Sequence, residues 1–190
     1  MKYDIERLKR KMFVKYPFFG SVVANVSYKE DTTIKTAETD GKTIYYNPNF
    51  LNSLNVSEQT FVFAHEVCHV AFNHILRSEG KDEYTWNIAT DGVINQFLKR
   101  DGLEMVEGCV DIKDAINYDA EELYEKLIKD TLNSAIIALE EKGYNPINQL
   151  VGYIISGDLG YISSYKETRN RIAKIDRSLL VEVLLKNYIK

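Results

Sequence analysis

The sequence predicts an α+β fold: a small antiparallel sheet near the start, a pair of packed helices after it, and an all-helical C-terminal module. Three observations predict this. Two β-branched, alternating stretches flank an Asp40-Gly41 turn signal. Two long helical patterns then follow, parted by Gly80. Beyond Thr131 the strand texture vanishes, and glycine and proline punctuate helical segments.

Taken in order, Asp4 to Tyr16 mixes apolar and basic positions at helical spacing and stops at Pro17, which cannot continue a helix. Ser21 to Tyr28 and Thr33 to Thr39 are expected as strands, with KTIYYN as the return strand of a hairpin. Ser57 is the expected N-cap of a helix whose apolar period runs from Phe61 through Leu76, ended by Gly80. A second helix is expected from about Tyr84 to Leu98, closed by Gly102, and a short connection makes the two antiparallel. AEELYEKL after Asp119 reads as a short helix, and a domain boundary is placed near residue 130. Downstream, Gly143 ends one helix, Asn145-Pro146 starts another, and Ser164-x-x-Glu167 reads as a capping box.

A chain of 190 residues with 45% apolar and 27% charged residues can bury a core and is too apolar for a structureless polymer. A net charge of -4 removes the diffuse attraction on which non-specific binding to nucleic acid or anionic membranes depends. The cluster Arg169, Arg171, Lys174 and Arg177 is accordingly read as a solvated face. MKYDIERLKRK lacks the apolar core and cleavage site of a secretory signal, and no apolar run is long enough to cross a bilayer, so the cytoplasm is expected. Cys68 and Cys109 stand far apart without CxxC spacing and are read as reduced thiols.

The chemistry concentrates in His65-Glu66-Val67-Cys68-His69, an HExxH sequence inside a strongly apolar predicted helix. Four residues advance a helix by a little over one turn, so both imidazoles project from one face and can share a Zn2+ ion. Glu66, about 100° away on the helical wheel, can reach a water at the ion without ligating it, which suits a general base. Two histidines do not close such a site, and a third protein ligand is needed. His74 lies nine residues from His65, nearly opposite on a continuous helix, and is expected to make structural hydrogen bonds. Asp91 is the favoured third ligand, because an antiparallel second helix returns past the motif; the alternative is a carboxylate that orients one of the histidine rings. Asn87, Asp91 and Asn95 recur at i, i+4 and i+8, a polar stripe beside the metal with Gly92 available for close approach.

From Arg7 to Leu127 the chain resembles the bacterial and phage metallopeptidases whose usual partner is a von Willebrand A-like domain. The resemblance is carried by KYPFFGS, TDGKTIYYNP, FVFAHEVCHVAFNHILR, WNIATDGVIN and EGCVDIKDAINYDAEELYEKL. It implies a zincin-like fold over residues 1–130, with ligands at His65, His69 and Asp91 and Glu66 as catalytic base. In place of the von Willebrand A-like domain, residues 131–190 resemble the helical, dimeric IreB-like regulatory family through LEEKGYNPINQLVGYIISGDLGYISSYKETRNRIAKIDR. That resemblance implies a homodimer through the C-terminal module and a link to kinase signalling. An apolar stripe of Leu179, Leu180, Val183, Leu184 and Ile189 is suited to a partner helix or to its own domain.

The expected activity is hydrolysis of a protein or peptide substrate lying extended beside KTIYYN, if that strand forms the sheet edge. Tyr45, Tyr46, Tyr118 and His74 are chemically able to stabilise an oxyanion, and none is singled out. The rival expectation is a non-enzymatic, metal-stabilised regulator of the IreB type acting through protein contacts.

Overall fold

The computed structural model describes residues 3–189. The chain divides into two compact units, one of Met1–Gly80 with Thr90–Asn117, the other of Lys81–Ala89 with Tyr118–Lys190. Asp130, near which a domain boundary is expected, lies inside a continuous 22-residue helix, Ala120–Glu141.

The first unit opens with α1 (Ile5–Lys15), capped by the Asp4 side chain, and a 3-10 turn at Pro17–Phe19 leads into α2 (Gly20–Asn25). The expected strand at Ser21–Tyr28 is therefore mostly helix. Val22, Val23 and Val26 are β-branched, but they recur at i, i+1 and i+4, a helical face, and the Val26 amide closes the last turn onto the Val22 carbonyl. The chain turns extended only at β1 (Ser27–Glu30), followed by β2 (Ala37–Thr39) and β3 (Thr43–Tyr46).

The hairpin between β2 and β3 forms as expected: the Asp40 carboxylate accepts from the Lys42 and Thr43 amides, and Gly41 takes the positive φ of 87° that the turn needs. The sheet itself differs from expectation. Its order is β1-β3-β2, with β3 parallel to β1 and antiparallel to β2, so the sheet is mixed and KTIYYN is its centre, not its edge. Alternation marks a strand but says nothing about which neighbour it will choose.

After α3 (Pro48–Ser53), the motif helix α4 (Val56–Ala71) starts one turn earlier than its apolar period, under a capping box of Asn55 and Glu58 in place of the expected Ser57 cap. Phe61, Ala64, Val67 and Cys68 of α4 are buried with Ile44 of β3, Leu8 and Met12 of α1, and Ile94 and Leu98 of α5 (Glu83–Arg100). Each such large side chain contributes about 1.5–3 kcal/mol through burial, enough to fix the rotation of α4 about its axis. α4 also ends earlier than expected. Phe72 is its C-cap, Asn73 adopts φ 59°, the Asn73 amide donates to the Val70 carbonyl, and the His74 amide donates to the His69 carbonyl. This is a Schellman ending, with asparagine at the left-handed position where glycine is commonest.

In the second unit, α6 (Ala120–Glu141) starts at a capping box of Asp119 and Glu122 and buries Leu123, Ile128, Leu132, Ala135 and Leu139 on one face. α7 (Pro146–Ser156), α8 (Thr168–Ile172) and α9 (Arg177–Tyr188) pack on it. Asn145 caps α7 as expected, and Gly152 is needed there because a Cβ would fall 2.4 Å from the Tyr161 ring. No capping box forms at Ser164 and Glu167, since Lys166 and Glu167 both turn left-handed ahead of α8. Of the apolar stripe suited to a partner helix or to its own domain, Leu180 and Val183 are buried, while Leu184 and Ile189 are exposed. Among the described residues no helix is long and apolar enough to cross a membrane.

The Schellman ending yields a test. Asn73→Gly should leave stability nearly unchanged, whereas Asn73→Val should cost about 1–2 kcal/mol, because a β-branched residue resists positive φ. Urea denaturation measures both, and equal stability of the two variants would contradict the assigned conformation.

Candidate metal centre

α4 presents His65 and His69 on one face, and Asp91 on α5 meets them. The Nε2 atoms of the two histidines lie 2.9 Å apart; Asp91 Oδ1 is 3.1 Å from His69 Nε2 and 3.5 Å from His65 Nε2. Among the described residues these are the three metal-ligating side chains brought together.

The far side of each ring is engaged. His65 Nδ1 lies 2.8 Å from Asn95 Oδ1, and Asn95 Nδ2 donates to the Val110 carbonyl at 2.9 Å. The amide is thereby oriented with its oxygen toward the ring, so His65 Nδ1 carries the proton and donates it, leaving Nε2 turned to Asp91. His69 Nδ1 lies 3.2 Å from His74 Nδ1, and burial, then the charges of His69 and Arg77, push His74 down to about 3. His74 is therefore neutral at physiological pH and can accept from His69 Nδ1–H, freeing His69 Nε2 as well. The Schellman ending of α4 makes this contact by folding residue 74 back over residue 69.

The spacing alone had placed His74 on the far side of a continuous helix; the helix is not continuous, because asparagine supplies the bend that glycine was sought for. Asn95, expected in a supporting role, lies within hydrogen-bond distance of His65. Asn87 is exposed. The Tyr45 hydroxyl donates to Asp40 and Tyr46 is buried edge-on to Tyr3, so neither is turned to the cluster.

Electrostatics sharpen the picture. Burial alone would raise the Asp91 carboxyl, but the two imidazoles beside it outweigh burial and hold it well below the usual carboxylate range. Burial would lower His65, yet Asp91, Glu66 and Asn95 raise its proton affinity overall. Burial pushes the Glu66 carboxyl up, against the pull of His65 and His69, and the negative charges of Asp91 and Glu38 add to the rise.

Within the cluster, Asp91 Oδ1 is buried and has no hydrogen bond of acceptable geometry, despite two nitrogens within 3.5 Å. Two lone-pair nitrogens and a carboxylate oxygen converging in a desolvated place repel one another unless a proton or a cation lies among them. A tetrahedral divalent ion with bonds of about 2.0–2.2 Å sets its ligands about 3.3–3.6 Å apart; the three spacings here, 2.9, 3.1 and 3.5 Å, need to open by only a few tenths of an ångström to admit it. The donor set therefore fits such an ion, with Glu66 beside it and not in it.

A family model described as "Putative metallopeptidase domain" matches residues 1–157. The match runs through the whole of α6 and ends at Gly157, the C-cap of α7.

Two outcomes are expected of calorimetric titration with divalent ions. Asp91→Ala should abolish tight binding, and Asn95→Leu should weaken it by about 10–100-fold by releasing the His65 ring. Because ion and proton compete for the same nitrogens and the site raises the proton affinity of His65, affinity should fall as pH drops from about 8 to about 5. Unchanged affinity in Asp91→Ala would remove that residue from the centre.

Proposed function

The chain belongs to that family of metallopeptidase domains, and on this premise we propose that it is a zinc-dependent peptidase with a zincin-like core. His65, His69 and Asp91 hold the ion on this reading, and Glu66 is the general base. The observation that carries it is the unsatisfied Asp91 Oδ1, set against two imidazole nitrogens whose far sides are already occupied. Two nitrogens and one carboxylate oxygen are a donor set that zinc favours when a fourth position stays open. Bound there, zinc supplies Lewis acidity toward a peptide carbonyl and a water molecule.

The chain's own residues do the rest. Glu66 accepts a proton from the attacking water and returns it to the leaving amine. Its burial suits both halves of that task, because a carboxyl whose proton affinity is raised holds the proton long enough to pass it on. Asn95 and His74 keep the two rings from rotating, so the nitrogens stay aimed while substrate enters and leaves.

An extended peptide pairs with the free edge of β2 on this reading, not with KTIYYN as the sequence suggested. β2 packs against α4, has β3 as its one strand partner among the described residues, and carries Glu38, whose charge is felt at Glu66. Backbone pairing there gives affinity with little sequence preference. Cytoplasmic residence belongs to the same reading, supported by free thiols at Cys68 and Cys109.

We read residues 131–190 as an IreB-like module that pairs two copies of the chain. Support comes from α7, where Ile147, Val151 and Ile155 recur at i, i+4 and i+8 and are 72%, 49% and 78% exposed. The same stripe favours the rival, a non-enzymatic regulator; against it stands Glu66, since a structural ion needs no buried base beside its ligands.

Zinc-loaded protein should cleave unfolded casein, and Glu66→Gln should retain the ion while losing at least about 10²-fold in rate. Equal cleavage by both removes Glu66 from the mechanism. In sedimentation, Val151→Lys should convert a dimer to a monomer without changing zinc content; a chain that is monomeric from the outset refutes the pairing.

A further inference from the structure

A second feature of the first unit stands apart from the metal centre. One face of α1 lines a cleft of about 570 Å³ with four cations, Arg7, Arg10, Lys11 and Lys15. Val14 lies between them, and Ser57, Thr60 and Leu103 complete the lining. No acidic residue is in that lining, although the chain as a whole carries a net charge of -4.

Three of the cations donate to neutral groups. Arg7 donates to the Gln59 side-chain oxygen, Lys11 to the Thr60 hydroxyl and Lys15 to the Asp101 carbonyl. Arg10 has a carboxylate partner, Asp4, but at 3.9 Å and with 71% of its own side chain exposed. The remaining cation of α1's middle, Lys9, is paired with Glu6 and points elsewhere, over the Tyr28 ring. The cleft therefore keeps concentrated positive charge in a protein that is otherwise acidic.

Its shape selects among anions. A compact phosphate would want converging backbone amides, but the nearest free helix start, at Ser57 and Glu58, already donates to the Asn55 side chain. A nucleic acid strand would want aromatic faces for its bases, and the lining contains none. Arg7, Lys11 and Lys15 are spaced at i, i+4 and i+8, or about 6 Å per step along α1. In an extended polypeptide, side chains on one side recur every ~6.6 Å, so alternate carboxylates match this ladder. Val14, 85% exposed, and Leu103 offer apolar contact to the residues between.

We propose that this cleft docks an extended polypeptide segment in which acidic and apolar residues alternate. The site is independent of the metal and of Glu66, so it stands whether or not the chain cleaves what it binds there.

The test uses the full chain and a fluorescein-labelled peptide of alternating Glu and Leu, about eight residues long, followed by fluorescence anisotropy. A matched peptide of alternating Gln and Leu and a labelled oligothymidylate serve as comparisons. The Glu peptide should bind at least ~10-fold more tightly than the Gln peptide, with affinity falling as salt rises. The triple substitution Arg10→Gln, Lys11→Gln, Lys15→Gln should weaken the Glu peptide at least ~10-fold, while Glu66→Gln leaves it unchanged. Circular dichroism and zinc content of the triple variant must match the parent; if they do not, Arg10→Gln alone, at the most exposed cation, should still weaken binding measurably. Equal binding of the Glu and Gln peptides, no binding of either, an unaffected cation variant, or tighter binding of the oligonucleotide would each overturn the proposal.

Discussion

Asp91 is a carboxylate held inside the first unit, within 3.5 Å of two imidazole nitrogens, with no hydrogen bond to its inner oxygen. Such an arrangement is costly by itself. Moving an anion out of water is repaid when a positive charge is placed against it, and here that charge is either a proton shared with His65 or a cation held among all three groups. The rest of the first unit serves to keep those three atoms from drifting apart. The capping box at Asn55 sets where α4 begins, and the buried row of Phe61, Ala64, Val67 and Cys68 sets its rotation against Ile94 and Leu98 of α5. A helix so fixed on one face has no freedom to turn its histidines away on the other.

Support for the rings comes from two unrelated devices. Asn95 works because the Val110 carbonyl takes its amide protons and leaves only an oxygen for His65. His74 works because α4 stops: one left-handed asparagine reverses the chain and lays a neutral, buried imidazole against His69. Without that stop, residue 74 would project from the wrong side. The end of the helix is thus part of the site, and the residue that ends it touches no ligand.

Much of this was legible in the sequence, and the parts that were not share a cause. HExxH on an apolar helix and a returning carboxylate at Asp91 are statements about helical period, which is local and read directly from spacing. Non-local or substitutable features were harder. The sheet was expected to be antiparallel, but β1 pairs with β3 across an intervening strand, and alternation carries no information on order. SVVANV was expected as strand because its residues are β-branched; tertiary packing overrode that preference and used the helical spacing of its valines. His74 is out of reach on a continuous helix, and the bend that brings it back has no glycine to mark it, because asparagine is the residue that next most readily takes the left-handed position. In the second unit the apolar stripe of α9, suited in sequence to a partner helix or to its own domain, divides: Leu180 and Val183 are buried, Leu184 and Ile189 are exposed, and a second exposed stripe lies on α7.

The two faces of the first unit divide the chemistry. One concentrates nitrogen and carboxylate ligands around a base of raised proton affinity, while the cleft beside α1 is lined by four cations and no carboxylate. The central claim concerns the first of these, and X-ray absorption at the metal edge of zinc-loaded protein tests it most directly. The account predicts two imidazole nitrogens and oxygen ligands at about 2.0–2.2 Å with no sulfur scatterer. A shell with sulfur at about 2.3 Å, or one indistinguishable between the parent and Asp91→Ala, would contradict it.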